Sequence, residues 1–144
     1  MIEGFRVQNY RSLKDVTFGR LWNVQKDPLT PLAVVIGKNG VGKSTLFDAF
    51  GFVADALIVG VEEACERNTR GGFMRLRSSG IEANIRFEIY YRESAASRPM
   101  TYELEVGLDT LRLMKESMWK RNNEVFIIKE FGVICTDSVA VLIG

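Results

Sequence analysis

One stretch constrains this chain more than any other: VVIGKNGVGKST, Val34 to Thr45. The apolar run Leu32 to Ile36 reads as a strand buried on both faces. It runs into Gly37-Lys38-Asn39-Gly40-Val41-Gly42-Lys43-Ser44, a glycine, four residues, then Gly-Lys-Ser. Glycines let the backbone curl and point successive N–H groups inward, where phosphate oxygens would sit. Behind the loop, Leu46, Phe47, Ala49, Phe50, Val53, Ala54 and Leu57 fall at helical spacing, and the N-terminal dipole of that helix adds to the pull on an anion. In this pattern Lys43 serves the β- and γ-phosphates, Ser44 ligates Mg²⁺ and Thr45 donates to the α-phosphate. A plain glycine turn capping a helix is the alternative; the strand before and the helix after argue against it.

Composition narrows the rest. A length of 144 residues sets one domain as the prior. A net charge of +1 supplies no global field for nucleic acid or an anionic membrane. There is no histidine, which excludes His-based triads and His metal sites within this sequence. Cys65 and Cys135 are far apart and form no CxxC, so two reduced thiols are expected. The most apolar region, Leu46 to Val61, is interrupted by Asp48, Gly51, Asp55 and Gly60 and reads as a buried helix rather than a membrane span. No signal-peptide pattern opens the sequence, so the expectation is a cytoplasmic protein without a membrane partner.

Elsewhere the pattern is one of strands. Ile2, Phe5, Val7 and Tyr10 suggest an opening strand with imperfect alternation, Asn9 to Ser12 a turn, and Leu13 to Phe18 a second strand. Gly19 to Pro31 reads as loop. The helix after the glycine loop should end near Gly60, or break there and continue to Arg67. Asn68 to Gly80 is loop-like and carries arginines; with Arg67, the residues Arg70, Arg75 and Arg77 form a basic loop, a solvated surface or a face for DNA or a partner. Ala83 to Arg92 alternates, with Ile85, Phe87, Ile89 and Tyr91 on one side, and Thr101 to Leu108 does the same, so a hairpin is expected. Trp22 and Trp119 read as packing residues. The region 110–144 is poorly assigned, with Val125 to Ile128 and Val133 to Asp137 as candidate strands.

Hydrolysis needs a second acid to hold the metal and a group to position water. The one candidate is Val133-Ile134-Cys135-Thr136-Asp137, an apolar run ending in Asp; a strand entering a turn would read the same.

The combination is more specific than the glycine loop alone. IEGFRVQNYRSLKDVTF followed by LAVVIGKNGVGKSTLFDAFGFV resembles the N-terminal lobe of RecF/SMC-like ATPases, which have ABC-type heads and include AAA-family and OLD-like anti-phage types. The resemblance rests on Asn9 to Leu13, Gly37 to Ser44 and Leu46-Phe47-Asp48-Ala49, and covers approximately Ile2 to Leu108. It implies an α/β (α+β) fold, a P-loop NTPase lobe of strand, P-loop and helix beside an antiparallel β-subdomain that includes the hairpin. It further implies ATP and Mg²⁺ as cofactors, and nucleotide contacts from Gly37, Lys38, Asn39, Gly40, Val41, Gly42, Lys43, Ser44 and Thr45, with Asn39 near the γ-phosphate. Arg11 and Ser12 become candidate contacts to base, ribose or phosphate; equally, Asn9 and Ser12 would cap a tight turn with Arg11 solvated, and Asn39 would be a turn residue in left-handed geometry.

The family pattern continues with a Gln loop, an SGG-type signature, a Walker B Asp-Glu and a switch His. Here the glutamines are Gln8 and Gln25, and neither SGG nor His occurs. The expectation is therefore a single partial domain, 1–144, that binds ATP but hardly hydrolyses it alone. It would work with a second ATPase lobe or as a homodimer, in a DNA-related process such as DNA repair or in phage defence. Two other readings stand beside it: a self-contained small P-loop kinase or NTPase using Asp137, and a non-catalytic nucleotide-sensing interaction domain.

Overall fold

The computed structural model describes residues 1–24 and 26–107, together with the backbone of three later strands. Among these residues the strands form one sheet in the order β2-β1-β3-β4-β5-β6-β7, every neighbouring pair antiparallel. The strands are β1 (Ile2–Tyr10), β2 (Leu13–Gly19), β3 (Ile85–Tyr91), β4 (Met100–Val106), β5 (Ser117–Arg121), β6 (Glu124–Lys129) and β7 (Gly132–Val133). Four helical segments fall between β2 and β3: α1 (Lys43–Val59), α2 (Val61–Glu66), a 3₁₀ turn (Arg67–Thr69) and α3 (Phe73–Leu76). Helices and an antiparallel sheet together fit the mixed α+β class that the resemblance implies.

Alternation decides which face is covered. Val7 lies opposite Phe87, and Phe87 opposite Leu104; Phe5 lies opposite Ile89, and Ile89 opposite Tyr102. These side chains share one face because successive residues of a strand point to opposite sides. Helix α1 lies across that face with Leu46, Ala49, Phe52 and Val53 buried. Phe50 stacks on Phe5 with centroids 3.9 Å apart, and Phe52 stacks on Phe87 at 5.3 Å. The other face is a charged ladder. Asp15 accepts both Nε and a terminal nitrogen of Arg6, at 2.9 and 2.7 Å, and Arg86 pairs with Glu103 at 3.1 Å. The Arg6 hydrogen bonds hold the Asp15 carboxyl below the usual range against a smaller opposing effect of burial.

The imperfect alternation of the first strand has a structural cause. The β1–β3 register shifts between Ile2 and Gly4, so Glu3 is a bulge residue and the pattern skips one position. Its backbone oxygen accepts the amides of Arg20 at 2.9 Å and Leu29 at 2.8 Å, which binds the loop after β2 to the sheet edge.

Three expectations fail. Leu32–Ile36 is not a strand: among the described residues it lies outside every ladder, with Leu32 79%, Val34 73% and Ile36 90% exposed. Strand propensity cannot be realised without a neighbour to take the backbone hydrogen bonds. The 68–80 region is not simple loop; it holds the 3₁₀ turn and α3, with Phe73 and Leu76 buried in the core. Trp22 is not a packing residue: it stands 51% exposed in a turn closed by the Leu21–Val24 bridge. The expected break at Gly60 is present, since α1 ends at Val59 and α2 begins at Val61. Strand β6 falls where 125–128 was expected, whereas β5 carried no sequence expectation.

Cys65 lies on the buried side of α2, with its thiol pushed up to about 11, chiefly by desolvation. A thiol that stays protonated and shielded is a poor nucleophile. In the folded protein at pH 8, iodoacetamide is expected to leave Cys65 unlabelled over minutes and to label it fully in urea; peptide mass mapping checks this.

Candidate functional site

The site grows from the junction of the glycine loop with α1. Residues 36–41 are exposed, and Gly42 and Lys43 are half-buried. Gly40 (φ 83°) and Gly42 (φ 102°) take left-handed backbone that only glycine adopts without strain. The left-handed residue of the loop tip is therefore Gly40; Asn39, for which that geometry was one alternative, is a turn residue without it. A Cβ on Gly42 would stand 3.1 Å from Leu13 Cδ2 and 3.2 Å from Ser12 Oγ. The loop thus runs against the β1–β2 turn with no room for a side chain.

Gly42 is the N-cap of α1, no side chain caps the helix, and its first turn holds no acid. The orphan N–H groups and the positive end of the helix dipole are left for another acceptor. Lys43 folds back over the loop, its Nζ donating to the carbonyls of Gly37 at 2.6 Å and Lys38 at 2.7 Å. Val41 N donates to Lys38 O at 3.4 Å and closes the turn. Ser44 is exposed in the first turn of α1, and Thr45 Oγ1 lies 3.4 Å from Ser12 Oγ. A glycine cradle with a lysine at its rim and a free helix start suits a phosphate chain. Mg²⁺ suits it as well: this ion keeps several waters and takes ligands mainly from substrate phosphates, so one exposed hydroxyl, Ser44, is an adequate protein contribution.

The second wall is the turn at Tyr10 to Leu13. Arg11 has φ 49°, and its amide donates to Leu76 O at 2.5 Å, while Ser78 Oγ donates to Arg11 O at 2.7 Å. The turn is therefore held from behind by α3 and the residues after it. The Arg11 guanidinium lies 3.4 Å from Asp48 Oδ2, one helical turn beyond Ser44. Tyr10 OH donates to the same oxygen at 2.7 Å, and Arg70 Nε donates to Asp48 Oδ1 at 2.9 Å. Burial, followed by the hydrogen bond to Asp48, raises the Tyr10 hydroxyl far above its ordinary range, so it stays a donor.

Arg70 corrects the expectation of a basic surface loop. Its side chain is 1% exposed, bonded to Asp48, to Asp55 at 2.5 Å and to Ala64 O at 2.9 Å, with the guanidinium 5.5 Å from the Phe52 ring centroid. Burial opposes its charge, but the bonds to Asp55 and Asp48 outweigh that and raise its pKa. Arg67 pairs with Glu63 at 3.0 Å, and Arg77 lies over Phe73. Of the four arginines proposed for DNA or a partner, one is therefore structural. Sequence reasoning missed the role of Asp48 and Arg70; an acid at i+4 from Ser44 was visible, but its pairing depends on a chain reversal between α1 and Arg70, through Gly60, Asn68 and Thr69, all at positive φ. Asp137, the candidate second acid, lies outside the described residues. Among the described residues no helix is long and apolar enough to cross a membrane.

A family model described as "AAA domain, putative AbiEii toxin, Type IV TA system" matches residues 32–133. The chain belongs to this family. It is accordingly a P-loop ATPase domain of AAA type, a nucleotide-binding class that works with ATP and a divalent metal. The match begins at Leu32, at the apolar run before the glycine loop. No curated protein matches the chain.

Proposed function

We propose that this chain is the ATP·Mg²⁺-binding lobe of an ABC-type head of the RecF/SMC-like kind, and that it acts with a second lobe or dimer partner. Gly37 to Thr45 would hold the phosphates, Lys43 would face the β- and γ-phosphates, and Ser44 would be the protein ligand to Mg²⁺. Arg11 and Ser12 would reach the nucleotide from the neighbouring turn. The observation that carries the partner is the run Leu32–Ile36, which pairs with no strand among the described residues. It has the composition of a buried strand and is mostly exposed. Its backbone needs a strand beside it, and its side chains need apolar cover.

Helix α1 repeats the signal. Its inner face covers the sheet, while Phe47 (63% exposed) and Ile58 (67%), with Ala54 between them, line the outer face. A helix apolar on both faces expects cover on both. The family description names a toxin of a type IV toxin–antitoxin system, which favours a defence role over DNA repair.

The testing experiment is titration of the chain with ATP·Mg²⁺, read by thermal unfolding and by ATP turnover. Binding is expected to raise the midpoint, since a ligand at about a hundred times its Kd adds about 2.7 kcal/mol. Turnover is expected to stay near background. Robust turnover by the chain alone would overturn the partner-dependent reading and make Asp137 the leading second acid. A related expected result concerns Ile36→Lys. Because Ile36 is 90% exposed, stability should change by less than about 0.5 kcal/mol, while self-association at high concentration should fall. Chemical denaturation and sedimentation velocity check the two parts.

A further inference from the structure

Asp48 takes two hydrogen bonds and one ion pair on two oxygens, and the three partners are not equivalent. Arg70 and Tyr10 are buried and close, at 2.9 and 2.7 Å. Arg11 is farther, at 3.4 Å, and its side chain is 34% exposed. The carboxylate is thus anchored by two inward partners that fix its position on α1. Its remaining capacity points at the one arginine on the turn beside the glycine loop. That turn is itself placed against the loop, as Ser12 and Thr45 show, and its backbone is tied to α3.

An arginine on a tight turn has many rotamers, and ordering it costs free energy at the moment of binding unless it is already ordered. We propose that Asp48 is a positioning residue for the nucleotide site: held by Arg70 and Tyr10, it pre-orders the Arg11 guanidinium beside the start of α1, where a bound nucleotide would meet it. Asp48 itself touches no ligand. The proposal rests on the reading above in which Arg11 reaches the nucleotide. It gives the buried Arg70 a function as well, since Arg70 fixes the residue that fixes Arg11. Of the charged groups around Asp48, Arg11 is the partner free to serve a ligand. Releasing or sharing it leaves Asp48 with Arg70 and Tyr10, so no buried carboxylate is stranded.

The test is a double-mutant cycle on ATP·Mg²⁺ affinity, measured by calorimetry on wild type, Arg11→Ala, Asp48→Asn and the double variant. Asparagine keeps the shape and one acceptor for Arg70 but removes the charge that holds Arg11. Arg11→Ala and Asp48→Asn are each expected to weaken ATP by about tenfold, and the double variant by no more than the weaker-binding single, because groups acting through one another do not add. If the losses multiply, or if Asp48→Asn binds ATP as wild type does, the proposal is overturned and Asp48 only staples the fold. If wild type itself fails to bind ATP, the nucleotide reading falls and the proposal with it, a different result from additive losses in a protein that binds. Should Asp48→Asn not fold, Asp48→Glu retains the charge but displaces the carboxylate by one methylene. It is expected to show the same Arg11-dependent loss, and wild-type affinity in that variant would overturn the proposal.

Discussion

Arg70→Ala is expected to remove about 3–5 kcal/mol of folding stability, the usual cost of deleting one partner from a buried ion network. The change takes the buried cation from two carboxylates, Asp48 and Asp55, whose side chains are only 20% and 19% exposed, leaving Asp48 with Tyr10 and Arg11 and Asp55 with Asn68 and Arg67, and it frees the Ala64 carbonyl. It also empties the space against Gly51, where a Cβ would already stand 3.3 Å from the Arg70 guanidinium. Small domains hold about 5–15 kcal/mol in total, so much of the native population is at risk. Arg70→Met separates charge from volume. It refills much of the space but removes the innermost charge-assisted bonds of both acids, so it should be nearly as damaging as alanine. Adding Asp48→Asn and Asp55→Asn to Arg70→Met should recover part of the loss, since the amides no longer half-bury a carboxylate charge that has lost its innermost cation. Urea denaturation of the three variants beside wild type decides the matter. A loss of about 0.5 kcal/mol or less for Arg70→Ala would mean that the residue is as solvated as its place in a glycine-rich segment suggests.

Lys43→Ala is expected to do the reverse, sparing the fold and abolishing nucleotide binding. In the folded chain Lys43 Nζ donates only to Gly37 O and Lys38 O on an exposed loop. Those carbonyls reach water when the amine is gone, so stability without ligand should change by less than about 0.5 kcal/mol. Toward ATP the same amine is the side-chain cation that folds over the glycine loop. Charge-assisted hydrogen bonds to phosphate contribute about 1.5–3 kcal/mol each, so losing two weakens binding by about a hundredfold or more. Calorimetric titration with ATP·Mg²⁺ checks it, with denaturation of the unliganded protein as the control. Unchanged affinity would remove the glycine loop from the nucleotide site.

Local chemistry made much of this protein legible from its residues. The helix start was readable because glycine, lysine and hydroxyl positions there follow from backbone geometry and phosphate shape. The break at Gly60 was readable because glycine ends a helix without strain. The hairpin of β3 and β4 was readable because Ile85, Phe87 and Ile89, and then Tyr102, Leu104 and Val106, alternate along the chain. The β1–β2 turn was readable because its two strands pair in direct sequence, with Tyr10 opposite Leu13.

Three features depended on what lies far along the chain. Leu32–Ile36 has the residues of a strand, but pairing belongs to two segments and no described strand lies beside it. Arg70 looks like any surface arginine until the break at Gly60 and the turn at Asn68 and Thr69 bring it between Asp48 and Asp55. The same folding puts Arg11 beside Asp48 and ties the first hairpin to the helix that follows the glycine loop. Sequence by itself determined the phosphate loop, the helix it opens and the alternation of the sheet, because those follow from bonds and faces within a few residues. Tertiary structure alone decided which charges are buried together and which apolar run is left without a neighbour, because burial and pairing are properties of segments meeting in space.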